Sequence, residues 1–400
     1  MPSVAPLRDE IARVFPDRPF AIEFWDGSVL PPTNGGGPTF RLESRKAVGH
    51  ALRAPGQLGI GRAYVTGDIA VDDLDAAMRV VTKWSPGPVE SRDRAKLALA
   101  ALRSAGPMLP PPPPSAELRP KGRLHSITRD RRSVRHHYDL PPEFFKLFLG
   151  ESLTYSCAIF SRGATTLEEA QHTKLDLVCT KLDLQPGQRV LDVGCGWGSW
   201  VLHAAREYDV HVTGITLSEP QARIARERAA EAGVADKVDI RVQDYRELRG
   251  ERFDAIASIG MVEHVGESQI DVYAQQLRDL LAPGGQLLNH GIARLSPNSP
   301  APGPFSERYV FPDGDPLPLS RIELALERAG FEVAHVEGFR EDYAETLRHW
   351  ARRLDENLEQ ATRLAGSERA RVWRLYLRAA RNGFETGFTS IYQVRCHGAS

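Results

Sequence analysis

From residue 190 onward, short apolar runs of strand length alternate with stretches whose apolar residues recur at helical spacing. The runs are Val190 to Val193, His211 to Ser218, Lys237 to Tyr245, Phe253 to Gly260, Gln286 to Ile292, Glu332 to Gly338 and Ser390 to Cys396. Such alternation predicts an α/β fold with a parallel sheet and helices on its faces. The favoured architecture is seven strands with a long helical insertion before the last, over 343–385. Helix signals stand in the chain as well. Thr166-Leu167-Glu168-Glu169 is a capping box that opens a helix through Leu182, and Gly233 can cap the helix after the second strand. An amphipathic helix is expected around Phe144, Phe145, Leu147 and Phe148.

The first part of the chain reads differently. Residues 8 to 14 have the pattern of a short helix, Phe20 to Ser28 alternates into an Asp-Gly turn, and Leu58 to Asp68 leads into a helix over Leu74 to Trp84. These make a small α+β domain over 1–105 in which nothing proposes chemistry. Five consecutive prolines, Pro110 to Pro114, then break the pattern, and such runs favour extended polyproline II. The expected division is a domain over 1–105, a proline-rich linker over 106–122 and a catalytic domain over 123–400. Past the prolines, Arg119, Lys121, Arg123, Arg129, Arg131, Arg132 and Arg135 form a basic patch, either a solvated face or a surface for anionic head groups.

Composition removes several classes. The chain has 400 residues, 42% hydrophobic and 26% charged, as in a soluble globular protein. With 51 Lys+Arg against 52 Asp+Glu, no global field recruits nucleic acid. Cys157, Cys179, Cys195 and Cys396 have no metal-ligand spacing, so no metal site is expected and a reducing cytoplasm is. Neither a secretion signal nor a membrane-length apolar run is found.

Ligands of open parallel sheets bind outside the carboxyl ends of the strands. There the chain places Gly194, Gly196 and Gly198; Thr216, Leu217 and Gln221; Gln243, Asp244 and Tyr245; Ile259, Gly260, Glu263 and His264; and His290 and Ile292. A dinucleotide site would carry an acid at the second strand's end and the spacing Gly-x-Gly-x-x-Gly. Here that end is Gly214-Ile215-Thr216-Leu217-Ser218 and the glycines alternate. Both departures favour S-adenosylmethionine, whose sulfonium and amino-acid tail need no phosphate cradle.

Together with His137-Tyr138-Asp139-Leu140, Tyr155-Ser156-Cys157-Ala158, Gln243-Asp244-Tyr245-Arg246, Glu263-His264-Val265-Gly266 and Arg308 to Gly314, these segments resemble the cyclopropane-fatty-acyl-phospholipid synthases. That family includes the mycolic-acid cyclopropane synthases and related fatty-acid methyltransferases. The N-terminal region resembles the extra domain of its longer, phospholipid-acting members, a region for lipid presentation or dimerisation. The resemblance implies a Rossmann-like class I methyltransferase domain in which Tyr155, Ser156, Gly194, Gly196, Thr216, Leu217, Gln221, Asp244, Tyr245 and Ile259 surround S-adenosylmethionine. It also implies a bound bicarbonate as base, held by Glu263, His290, Tyr343 and main-chain groups at Cys157 and Ile292. The physical reading agrees: methylating an alkene leaves a carbocation, which needs a dry site rich in electron-dense groups, and a small anion needs donors around it.

The activity so implied is methyl transfer to the double bond of an unsaturated phospholipid acyl chain, giving a cyclopropane. A 10-methylene chain is the alternative product. Other readings are a small-molecule N- or O-methyltransferase and a lipid-binding module without catalysis. The implied setting is cytoplasmic, peripheral at the inner membrane face, possibly as a homodimer. Bland readings stand beside these: Glu263 and His264 as a helix cap, His290 as a core histidine, and Tyr343, Trp350, Trp373 and Phe384 as packing. Two departures from the family pattern are Ala380, where a cysteine is frequent, and the proline-rich Ser296 to Phe305.

Overall fold

A computed structural model describes residues 3–118, 126, 129, 140–296 and 303–398. Contacts divide the chain into two units: Met1–Leu118, Gly303–Val310 and Leu358–Asn382 form the first, and the remainder forms the second.

In the first unit, β1 (Ala21–Glu23), β2 (Val29–Leu30), β3 (Thr39–Leu42) and β4 (Ile69–Val71) form a sheet in the order β2-β1-β3-β4. The expected hairpin is β1 against β2. The expected helix is Leu74–Lys83, its N-cap Asp73 accepting from the Asp75 and Ala76 amides at 2.9 Å each. Helices Lys46–Arg53, Gln57–Thr66 and Ser91–Ala105 are additions to the sequence reading. Gly59 and Gly61 disguise the second of these as a loop. A Cβ at Gly61 would come within 2.5 Å of the Phe305 ring, so the missing side chain serves close packing.

The linker expectation is corrected as far as Leu118. Pro111, Pro114 and Ala116 are buried, the Pro111 carbonyl accepts from Arg53 at 2.9 Å, and Glu117 makes a bidentate pair with Arg62 at 2.6 and 2.7 Å. A proline run is stiff and apolar, so it loses little entropy when it lies down as a wall. Two later segments also belong to this unit, which the linear division did not anticipate. Asp75 pairs with Arg378 and Arg381 at 3.0 and 2.6 Å, and Glu368 accepts from Ser115 at 2.6 Å. Trp373 and Ala380 therefore lie in the first unit.

The second unit holds the seven expected strands: β5 (Arg189–Val193), β6 (His211–Thr216), β7 (Val238–Val242), β8 (Phe253–Ile259), β9 (Leu281–Arg294), β10 (Phe331–Gly338) and β11 (Thr389–Gly398). Their order is β10-β11-β9-β8-β5-β6-β7. β11 runs antiparallel to both neighbours, while the pairs from β9 through β7 are parallel. Alternation along the strands makes two cores. Leu191, Val193, Ile256 and Leu287 face one side with Tyr273 and Leu277 of helix Ile270–Leu280. Val190, Ala255, Ala257 and Leu288 face the other with Val178 of helix Leu167–Lys181 and Val201 of helix Ser199–Glu207. The capping box forms as expected, Thr166 Oγ1 accepting from the Glu169 amide at 3.2 Å and Glu169 from the Thr166 amide at 3.1 Å.

Candidate active site

Gly194, Gly196 and Gly198 all have positive φ, at 86°, 55° and 81°. Any other residue would be strained there, but the three serve different ends. A Cβ at Gly196 would meet nothing within 4 Å, whereas one at Gly198 would press on Ala225 at 3.1 Å. The middle glycine thus leaves bare backbone facing open space, and the last lets two helices approach. Across the turn, Thr216 Oγ1 donates to Gln221 Oε1 at 2.8 Å, which leaves the Gln221 amide group as the available donor. Ser218 caps the helix Glu219–Glu231, and Leu217 is half-buried between them. Asp244 is held bidentately by Arg246, both contacts at 2.8 Å. Tyr245 lies in the core, edge-on to Tyr273 with centroids 5.5 Å apart, and half-buried Ile259 ends β8.

Beneath this side lie two charged residues that sequence reasoning passed over. Lys174 is 1% exposed and donates to Ser156 Oγ at 2.8 Å. Burial brings its pKa down to about 8 and pushes that of Asp192 up to about 7. Asp192 Oδ1 is buried and accepts no hydrogen bond. Both carried a signal: Asp192 interrupts an apolar strand, and Lys174 falls seven positions after Leu167, on the helix's apolar face.

At the ends of β8 and β9 stand the expected acid and histidine. Glu263 sits in a single 3₁₀ turn, Val262–His264, and helix Ile270–Leu280 opens only after Gln269, so Glu263 is not its cap. Its Oε2 is buried with no hydrogen-bond partner among the described residues. Burial raises its pKa to about 7, although its own amide and that of Ile292 pull the other way. Gly291 matters here, because a Cβ on it would come within 3.1 Å of that oxygen.

His290 is fully buried, with Nδ1 3.1 Å from Gln393 Nε2 and Nε2 without a partner. Burial, with the Lys174 and Lys181 ammonium groups, holds its pKa well below the usual value, so the ring is neutral. It stacks on Phe339, centroids 6.3 Å apart. Phe339 leads into helix Arg340–Glu356, which carries Tyr343 in its first turn, with Trp350 two turns further on. Tyr343 packs on Trp350 and Phe384, at 6.1 and 4.6 Å, and Trp350 on Tyr155 at 5.4 Å. An aromatic wall therefore extends from the histidine towards Tyr155 and Ser156.

Cys157 is fully buried and its Sγ faces the Ala158 and Phe339 carbonyls. Burial pushes its pKa well above the usual thiol value, so it is no thiolate nucleophile. His137, Tyr138 and Asp139, and the basic patch apart from Arg129, lie outside the described residues. Arg129 makes a bidentate pair with Asp313 at 2.7 and 2.6 Å. Among the described residues no group of three His, Cys, Asp or Glu could hold a metal, and no helix is long and apolar enough to cross a membrane.

A seven-stranded sheet with one reversed strand, and a glycine turn at the carboxyl end of β5, define a class I S-adenosylmethionine-dependent methyltransferase. Residues 125–394 match the family described as mycolic acid cyclopropane synthetase, and the chain belongs to that family. It is 38% identical to a probable fatty acid methyltransferase of Mycobacterium tuberculosis, over 96% of this chain and 93% of that one. It is 30% identical to the tuberculostearic acid methyltransferase UfaA1 of the same organism, over 94% of this chain and 87% of that one. The crystal structure of the mycolic acid cyclopropane synthase CmaA1 complexed with SAH and CTAB matches with a TM-score of 0.63 and 34% identity, covering 67% of this chain and 98% of that one.

Proposed function

We propose that this protein uses S-adenosylmethionine to methylate the double bond of an unsaturated phospholipid acyl chain, and that proton loss from the resulting carbocation closes a cyclopropane ring. The observation that carries the proposal is the buried pair of unpartnered polar atoms, Glu263 Oε2 and His290 Nε2, beside an aromatic wall. When bound, S-adenosylmethionine supplies the electrophilic methyl and bicarbonate the base. The residues present fit both groups. Gly194, Gly196, Thr216, Leu217, Gln221 and Ser156 would hold the former, and Glu263, His290, Tyr343 and the main chain at Cys157 and Ile292 the latter. A carboxyl group with a pKa near 7 can keep its proton and donate to an anion, and a neutral imidazole offers a second donor. Tyr155, Tyr343 and Trp350 turn electron-rich faces to a cation and exclude water that would capture it.

A methylene branch is the second reading. It is favoured by the relatives that align with nearly the whole chain, the first unit included, since these are named a probable fatty acid methyltransferase and a tuberculostearic acid methyltransferase. Incubation with oleoyl phospholipid vesicles and S-adenosylmethionine, followed by mild hydrogenation, separates the two: a cyclopropane is inert and a methylene group takes up hydrogen. Methylation of soluble amines or phenols with no change in the lipid would replace both by a small-molecule activity.

Peripheral contact with a membrane is part of the proposal. On helix Ser91–Ala105 of the first unit, Leu99 and Leu102 are exposed beside exposed Arg92, Lys96 and Arg103, and Leu109 just beyond is 90% exposed. Apolar and basic residues together suit an anionic lipid surface. Replacing the three leucines with serine should abolish co-sedimentation with anionic vesicles while leaving S-adenosylmethionine binding intact.

A further inference from the structure

We propose that Lys181 and Gln393 are positioning residues that hold His290 in the neutral tautomer with its proton on Nε2. The proposal rests on the placing of His290 in the anion pocket, and its argument is one of donors and acceptors. Gln393 of β11 lies directly opposite His290 of β9 in the ladder. It is fully buried, with Nε2 3.1 Å from His290 Nδ1 and Oε1 2.7 Å from Lys181 Nζ. Lys181, the last residue of helix Leu167–Lys181, also donates to Glu337 Oε2 at 2.6 Å, and Glu337 accepts from Arg162 at 2.5 Å.

An ammonium group only donates, so the Gln393 atom facing it must be the amide oxygen. The amide nitrogen, also a donor, is then left facing His290. Two donors cannot share one contact, so Nδ1 presents its lone pair. A neutral imidazole with a bare Nδ1 carries its hydrogen on Nε2. Burial opposes the charge on Lys181, and Glu337 counters that shift by accepting from it.

The consequence falls at the pocket. Nε2 is buried with no partner among the described residues, and this tautomer makes it a donor. The other tautomer would aim a lone pair at an anion and repel it. The relay runs through a helix end and two strands, so substrate or cofactor need not touch Lys181 or Gln393 for either to matter.

The test is ¹⁵N NMR of protein labelled at histidine ring nitrogens, with His290→Asn used to assign the signal. The wild type should show an imine-type Nδ1 and a protonated Nε2 at residue 290. Gln393→Glu offers a carboxylate to both neighbours and should draw the proton to Nδ1, reducing kcat about a hundredfold with S-adenosylmethionine affinity held within about twofold. Lys181→Met should produce a mixture of tautomers, and Lys181→Arg should restore both the spectrum and kcat to within about threefold. A protonated Nδ1 in the wild type, or Gln393→Glu with an unchanged spectrum, overturns the proposal. If Gln393→Glu fails to fold, the Lys181 pair answers the same question. The expected tautomer in a protein that methylates no lipid would leave the relay standing and remove the functional reading instead.

Discussion

At the carboxyl ends of β6 and β7 the chain has bonded its polar groups to one another: Thr216 to the Gln221 side-chain oxygen, the Gln221 backbone N–H to Ser218, Asp244 to Arg246. At the ends of β8 and β9, a few residues away in the same sheet, Glu263 Oε2 and His290 Nε2 are just as buried and bond to nothing among the described residues. An unsatisfied buried polar atom costs about 1–3 kcal/mol, a cost that a bound ligand at the second site would remove. The lesson is a division of labour. On the function proposed above, one side is organised in advance to receive a large ligand, and the other carries the donors for a small anion and a developing charge.

The largest expected effect breaks the two sides apart. Glu263→Gln should lower methyl transfer about a thousandfold while calorimetry finds S-adenosylmethionine affinity within about twofold. A loss of affinity instead would show that the sides are not separable.

The same variant sharpens the comparison through stability. The folded pKa of Glu263 is raised from 4.5 to about 7, so the native state binds more protons than the unfolded one between those values. That part of the stability is therefore lost as pH rises, and is gone above pH 7. In urea unfolding without ligand, Glu263→Gln should gain on the wild type by up to about 3 kcal/mol between pH 5 and pH 8. A gap independent of pH would mean the carboxylate is solvated.

On the other side, Gly196→Ala should weaken S-adenosylmethionine binding about tenfold and destabilise the fold by about 1 kcal/mol, with kcat at saturation little changed. Smallest of all, Cys157→Ala should leave kcat within about threefold, because a neutral buried thiol contributes no charge to the chemistry. A larger loss would assign the sulfur a role that its surroundings do not suggest.

Legibility in the sequence followed the range of the interaction. The glycine turn, the capping box at Thr166 and the strands of the second unit were readable because each depends on a few adjacent residues. Glu263 and His290 were readable as residues at strand ends, with their roles implied by family resemblance rather than by spacing. Lys174 and Asp192 were overlooked although each breaks an apolar pattern, because the sequence does not say that both end up buried. Gln393 gave no signal at all: an alternating strand with one amide in it looks the same whatever lies across the ladder.

What the sequence by itself determined is the type and order of the elements in the second unit and the residues at their carboxyl ends, since strand and helix periodicity and the demand for positive φ are local. Only the tertiary structure decided that Pro111 and Pro114 pack as a wall, that Gly303–Val310 and Leu358–Asn382 join the first unit, that β11 runs backwards, and that Gln393 meets His290. Those outcomes depend on register and close approach between residues far apart in the chain, where burial and hydrogen-bond partners are settled by packing and not by neighbours in sequence.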